Sequence, residues 1–310
     1  MKIVALAGGV GGAKLVHGLA KVLAPQDLVI IVNTGDDFEY LSLSISPDLD
    51  TVCYTLAGLA NPETGWGRAN ETWTTYSKIV ELGGPGWFRL GDLDLATHIE
   101  RTRRLGAGQT ISQIVNSFCE SWKVAPTILP MSDDRIRTKV ETQEYGLLDF
   151  QEYFVKYNCS PKVTGFQFQN IENSRPSPGV IESLRGAQAV VICPSNPWVS
   201  IDPILGVSGI RSSLLGKPVV AISPIIAGKA VKGPAAKMYT ELGYKPSALT
   251  VAEHYRELIR GFVLDNLDES IKPAVERLGL RVLTTNTMMT NIKNRIQLAE
   301  DVLNFIGSLL

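Results

Sequence analysis

The 310-residue chain reads as an α/β protein: a Rossmann-like, mainly parallel sheet carrying a small all-helical insertion. Three observations lead there. An apolar run, Lys2–Ala7, meets a cluster of glycines and then a helical apolar stripe. A second run, Leu28–Val32, completes a strand–helix–strand unit in about 35 residues, the size of a βαβ motif. Further unbroken apolar runs, Ala187–Cys193 and Val219–Ser223, return downstream and alternate with helical sequence. Unbroken runs of this length suit parallel strands covered on both faces, and alternation with helices suits a doubly wound sheet.

Taken in order, Leu15, Leu19, Val22 and Leu23 recur at helical spacing after the glycines, and Pro25 closes the helix. Asn33-Thr34-Gly35-Asp36-Asp37 stands at the carboxyl end of the second strand. Asp50 is a candidate N-cap for a helix from Thr51. Residues 61–122 change texture: a loop with Asn61, Pro62, Gly65 and Gly67 precedes scattered tryptophans. A helix follows over Asp94–Leu105 with a basic end at Arg101, Arg103 and Arg104. A clearer helix spans Thr110–Trp122, opened by a Thr110-x-x-Gln113 capping box. This stretch is read as a helical subdomain inserted into a nucleotide-binding domain of residues 1–60 and 123–310. Arg137–Thr142 and Val163–Phe168 alternate like half-buried strands, Arg281–Thr284 reads as a last strand, and the final helix carries Ile292, Ile296, Ala299, Leu303 and Ile306 on one stripe.

Composition narrows the class. The chain is 45% hydrophobic and 20% charged, enough apolar side chain to bury a core and too much for disorder. Thirty Lys and Arg against 31 Asp and Glu leave a net charge of −1, so there is no global electrostatic reason to bind nucleic acid or an anionic membrane. No apolar stretch has the length of a membrane span, and the early glycines break the signal-like N-terminus. The expected location is the cytoplasm. Cys53, Cys119, Cys159 and Cys193 form no C-x-x-C pair and read as small buried hydrophobes. His17, His98 and His254 lie far apart in helical sequence and read as structural.

Several segments are able to carry chemistry. Gly8, Gly9, Gly11 and Gly12, between strand and helix, offer free N–H groups at a positive helix end, a setting for phosphate. The loop is neither a P-loop nor a clean G-x-G-x-x-G, which argues against a dinucleotide-dependent oxidoreductase. Lys14 reads equally as a phosphate contact and as a solvated lysine. Asp36 and Asp37, with Asp48 and Asp50 on the next loop, suit a hard cation such as Mg²⁺; the same acids also suit caps and turns. The segment Pro194–Leu205 follows a buried strand and offers Ser195 and Asn196 as donors and acceptors and Trp198 as a stacking face. Ser223–Pro234, with Lys229 and Lys232, suits a phosphate tail or a plain solvated loop. Arg89, beside Trp87 and Phe88, is placed to contact a planar ring.

Together these segments resemble one family. AGGVGGAKL at 7–15, NTGDD at 33–37, SPDLDT at 46–51, WFRLGDLDLATHIERT at 87–102, PSNPWVSIDPIL at 194–205 and SPIIAGKAVKGPAAKM at 223–238 look like the 2-phospho-L-lactate transferases, the CofD family of coenzyme F-420 biosynthesis. The resemblance runs nearly end to end. It implies a Rossmann-like fold, a Mg²⁺ requirement, and transfer of a 2-phospholactyl group from lactyl-2-diphospho-5'-guanosine to the deazaflavin Fo with release of GMP. It puts Asp50 and Arg89 at the Fo-binding positions. Gly8, Gly9, Gly11, Gly12, Lys14, Ser195, Asn196 and Lys232 would face the guanosine diphosphate. Asp36, Asp37 and Asp50 are the metal candidates, Asp37 and Asp50 the catalytic ones, with Asp50 standing between ligand and base. Trp66, Trp87 and Phe88 read equally as pocket walls and as core. The alternative is a non-catalytic nucleotide-sugar-binding regulator of the related gluconeogenesis-factor group. Rossmann-like enzymes are often dimers, and a homodimer is the expected assembly.

Overall fold

The computed structural model describes residues 1–310. Strands β1 (Ile3–Ala7) and β2 (Leu28–Val32) flank helix α1 (Gly9–Val22). A short hairpin, β3 (Phe38–Tyr40) and β4 (Leu43–Ile45), leads into α2 (Pro47–Ala57). Then come α3 (Thr74–Glu81), α4 (Asp92–Gly106) and α5 (Ile111–Ser121). Strand β5 (Thr127–Pro130) returns to the sheet, and β6 (Arg137–Thr142), β7 (Gly146–Asp149) and β8 (Val163–Gln169) form a separate antiparallel sheet in the order β7-β6-β8. Strands β9 (Ala189–Ile192), β10 (Val219–Ile222), the small hairpin β11 (Ile225–Ile226) with β12 (Lys229–Ala230), β13 (Gly261–Asp265) and β14 (Arg281–Thr285) complete the set. The last helix is Ile292–Gly307.

The main sheet has seven strands in the order β14-β13-β10-β9-β1-β2-β5, and every pairing is parallel. This is the Rossmann-like α/β architecture. Side-chain alternation divides each strand between two cores. Ile3, Ala5 and Ala7 face α1, α2, α5 and the last helix. Val4 and Leu6 face the helices that follow β8, β9 and β10. The two cores hold 29 and 30 buried residues, so both faces are covered equally, as a parallel sheet requires.

Winding runs from β1 through β2 to β5, then reverses and runs from β9 to β14. The reversal lies between β1 and β9. In open α/β sheets the ligand crevice forms beyond the carboxyl ends of the strands at such a switch point.

Several details depart from the sequence expectation. Helix α2 starts at Pro47 with Ser46 at its N-cap, so Asp50 sits in its first turn and is not the cap of a helix from Thr51. Arg101 is no solvated helix end: it is 1% exposed, while Arg103 and Arg104 pair with Glu100 outside. The stripe of the last helix runs through Leu298, Ala299, Val302, Leu303 and Ile306, leaving Ile292 exposed. Helix α5 buries Ile111, Val115 and Cys119 in the same core as β1. The Thr110–Gln113 capping box is present, with both hydrogen bonds made.

Candidate functional site

The glycine loop and the loop after β9 lock together at the switch point. Ser195 Oγ donates to the Gly8 carbonyl (2.7 Å) and accepts from the Gly8 amide (3.2 Å). The approach leaves no room for side chains. A Cβ on Gly11 would stand 2.2 Å from the Pro194 carbonyl oxygen, and one on Gly8 would stand 2.6 Å from Asp48 Oδ2. Gly9 has φ +58°, a conformation other residues rarely adopt. The glycines are thus required by the crossing of two loops as well as by any ligand.

Three cations gather at this end. Lys14 is half-buried, and its ammonium is held below the ordinary lysine value by burial first, then by Lys232 and Arg295. Lys232 donates to the Thr64 carbonyl, which folds the start of the insertion over the glycine loop. Arg295 arrives on the last helix. That helix crosses α1 at Gly18, where an added Cβ would lie 2.1 Å from the Arg295 carbonyl oxygen, and Arg295 Nη1 lies 2.9 Å from His17 Nδ1. Sequence reasoning found Lys14 and Lys232 but missed Arg295. Its only signal is a lone arginine among polar positions of an amphipathic helix.

Four buried carboxylates, Asp36, Asp37, Asp48 and Asp50, cluster beside the loop, with Asp48 against Gly8 and Gly9. The Asn33 amide donates to Asp36 Oδ1 (3.2 Å) and to Asp48 Oδ2 (3.0 Å), and Gln151 donates to Asp36 Oδ2 (3.2 Å). Burial, then Asp48 and Asp37, push the Asp36 carboxyl well above its ordinary value. Burial raises Asp48 to about 6 against hydrogen bonds from Asn33 and Gly9. Burial raises Asp37 to about 7, opposed by the Arg137 guanidinium and by Ser46, whose hydroxyl donates to Asp37 Oδ2 at 2.8 Å. Asp37 Oδ1 and Asp50 Oδ2 are buried with no hydrogen-bond partner, and His98 Nδ1 stands 3.7 Å from the latter.

Asp50 differs from the other three. Its Oδ1 is gripped by Arg101 Nη2, a fully buried guanidinium delivered by α4. Arg101 Nη1 also reaches His98 Nδ1 (3.1 Å) and the Ser44 carbonyl (3.3 Å). Asp50, Asp94 and His98 bring ligand atoms within 4.8 Å of one another, but atoms of all three are already engaged: Asp50 Oδ1 and His98 Nδ1 by Arg101, and Asp94 Oδ1 by the Tyr54 hydroxyl. The hard, unpartnered oxygens of Asp37 and Asp50 suit a divalent cation better, and Asp36 has both oxygens engaged by amides.

Three candidates are spent differently from the expectation. Ser195 is the loop clasp. Asn196 Oδ1 accepts from the Trp198 amide (3.1 Å) and so caps the turn that follows. Trp198 is packed against Tyr239 with ring centroids 4.1 Å apart, which removes it as a stacking face for a ligand. Arg89 stays outside the carboxylate group: it is exposed and lies 4.4 Å over the Trp73 ring. Phe88 packs on Phe38, while Trp66 is 51% exposed. The buried thiols of Cys53 and Cys119 stand 3.9 Å apart among core side chains.

Trp87 is half-buried and, with Phe38, lines a cavity of about 470 Å³ between the β3–β4 hairpin and β6. The rest of its wall is charged: Glu39, Arg135, Arg137, Lys139, Asp149 and Glu152, with Gln169.

A glycine loop at the switch point of a parallel sheet, with cations and buried carboxylates grouped around it, marks a Rossmann-like protein, and the family it belongs to is one of transferases. The comparisons specify it. The family description "2-phospho-L-lactate transferase CofD" matches residues 3–293, and the chain belongs to the CofD family. It is 42% identical to the phosphoenolpyruvate transferase of Streptomyces griseus, over 97% of this chain and 99% of that one. It is 36% identical to the 2-phospho-L-lactate transferase of Methanocaldococcus jannaschii, over 99% of both. Among solved structures it resembles a UPF0052 family member from Bacillus halodurans, with a TM-score of 0.62 over 97% of this chain and 98% of that one; at 14% identity this speaks for the fold alone. No helix is long and apolar enough to cross a membrane.

Proposed function

We propose that this transferase moves a phospho-three-carbon-acid group from a guanosine diphosphate-linked donor to the terminal ribityl hydroxyl of the deazaflavin Fo, giving F-420-0 and GMP. The observation that carries this reading is one glycine loop at the switch point that has Lys14, Lys232 and Arg295 grouped on its helix side and Asp48, a member of the buried carboxylate group, set against Gly8 and Gly9. The hydroxyl oxygen forms a bond to the phosphorus that bears the acid, and the bridging P–O bond to GMP breaks. The departing charge leaves towards the loop amides and the three cations, the kind of electrostatic support phosphoryl transfer needs.

Asp50 receives the acceptor hydroxyl. Arg101 fixes one of its oxygens and leaves the other free to take a hydrogen bond or the proton. Trp87 and Phe38 provide apolar wall for the flat ring system, and Arg89 on Trp73 forms its outer edge. Mg²⁺ fits the free oxygens of Asp37 and Asp50, and would supply charge neutralisation for the phosphates when bound. The reading assigns the acid as lactyl. The higher identity to Streptomyces phosphoenolpyruvate transferases favours an enolic acid as the second reading.

The test incubates the protein with Fo, Mg²⁺ and each guanosine-linked donor, and follows GMP release and product mass, which distinguishes the two acids by H₂. Asp50→Ala should abolish GMP release while the thermal transition persists. Activity near wild type would remove Asp50 from the reaction.

A further inference from the structure

The cavity beside Trp87 has one cation that makes no ion pair. Arg135, just before β6, and Arg137 and Lys139 within it stand at alternate positions, and all three line the cavity. Arg135 pairs with Glu39 at 3.0 Å, and Lys139 pairs with Asp149 at 2.7 Å. The third lining acid, Glu152, pairs with Lys156 at 3.0 Å. Every acid in the wall is therefore committed, and two of its three cations are neutralised. Arg137 makes no ion pair; its Nη1 donates only to the neighbouring Ile136 carbonyl, at 2.8 Å. A half-buried guanidinium with most of its fork unused is costly unless an anion completes it. The amide of the neighbouring Thr138 donates to the Gly35 carbonyl at 2.5 Å, which sets Arg137 beside the loop that carries Asp36 and Asp37, at the boundary between the cavity and the buried carboxylates.

We propose that Arg137 binds the carboxylate of the donor's three-carbon acid, making the Arg137 corner of the cavity the subsite that reads that end of the donor. The inference rests on the proposed transfer reaction and adds a specificity residue to it. The fork of a guanidinium matches a carboxylate in two parallel hydrogen bonds. It is placed where the acid group would project once the diphosphate lies on the glycine loop and the phosphorus under attack lies at Asp37 and Asp50. Both a lactyl and an enolic acid carry the carboxylate, so Arg137 serves either. Phe38 and Trp87 remain free for the acceptor.

The experiment pairs a change in the protein with a change in the ligand. Wild type, Arg137→Gln and Arg137→Lys are titrated calorimetrically with the guanosine-linked donor, with its carboxylate methyl ester, and with GDP; Fo binding is read separately by fluorescence. Wild type should bind the acid about 30-fold more tightly than the ester, the scale of a charge-assisted bidentate contact. In Arg137→Gln the two should bind alike, with GDP and Fo affinities unchanged, and Arg137→Lys should fall between. An ester penalty that persists in Arg137→Gln overturns the proposal. So does a Gln variant that loses Fo affinity instead, which would give the corner to the acceptor. Should Arg137→Gln not fold, the Lys variant carries the test, since it keeps the charge but not the fork; ester discrimination equal to wild type overturns the proposal there too. A wild type that separates acid from ester yet transfers nothing to Fo keeps Arg137 in place and brings down the transfer reading alone.

Discussion

On the glycine-loop side of the cleft, Lys14, Lys232 and Arg295 converge and none makes an ion pair; on the β2 side, four carboxylates converge and Asp50 alone is held by an arginine. The two sides reach that state by different means. The cations ride on side chains that are exposed, as Lys232, or only partly buried, as Lys14 and Arg295, brought together by three segments distant in sequence. The carboxylates are nearly sealed, from 5% exposure for Asp36 to 9% for Asp37, and burial pushes most of them towards the protonated form. One side is a group of like charges that solvent reaches and screens. The other stores unfavourable desolvation that a cation or a ligand proton relieves.

The sharpest way to break the contrast is Arg101→Met, which strands Asp50 as a buried, uncompensated charge. A loss of about 3–5 kcal/mol in denaturant unfolding is expected; a loss under 1 kcal/mol would show that Asp50 is hydrated after all. Next is Gly11→Ala, where the new methyl meets the Pro194 carbonyl and should cost about 3 kcal/mol and weaken GDP binding. Gly186→Ala, with no atom in reach of the new methyl, should stay within about 1 kcal/mol of wild type.

Protonation offers a subtler comparison, because the two sides have opposite signs. His17, beside Arg295, is held down to about 4 by burial, then by Arg295 and Lys21. Between its folded value and the ordinary histidine value the unfolded chain binds more protons, so its contribution is complete above that window and is lost as pH falls through it. Asp37 is raised to about 7, so between the ordinary carboxylate value and 7 the folded chain binds more protons, and its contribution fades as pH rises. In chelator, thermal melts of His17→Gln should lose the acid-side decline and those of Asp37→Asn should lose the neutral-side decline. Parallel shifts in both variants would dissolve the distinction. The smallest effect is Arg89→Ala: an exposed stack worth about 0.5–1 kcal/mol, raising the Fo concentration needed a few-fold with turnover intact. Unchanged Fo affinity would place Arg89 outside the site.

The parallel strands were legible because burial on both faces writes an unbroken apolar run, as in Leu28–Val32, which the structure reproduces residue for residue. The β3–β4 hairpin was not, since two three-residue strands, Phe38–Tyr40 and Leu43–Ile45, are too short to show a period. The strands Arg137–Thr142 and Val163–Gln169 each alternate visibly, but their pairing into a separate sheet is a long-range event that neither run encodes. The glycine loop and the aspartates were readable from their place after a strand. Arg101, Arg137 and Arg295 were not, because an arginine in local sequence looks solvated; whether it is buried depends on what packs over it. Asn196 and Trp198 misled for the same reason: their polar and aromatic groups are used by the turn and by Tyr239.

The crossing at Gly18 has a consequence for the order in which the molecule matures. The loop that opens the chain at residues 8–12 acquires its arginine only when the helix at residues 292–307 has settled onto α1. Under the proposed function, the seat for the donor's phosphates is then complete only once the two ends of the polypeptide have come together.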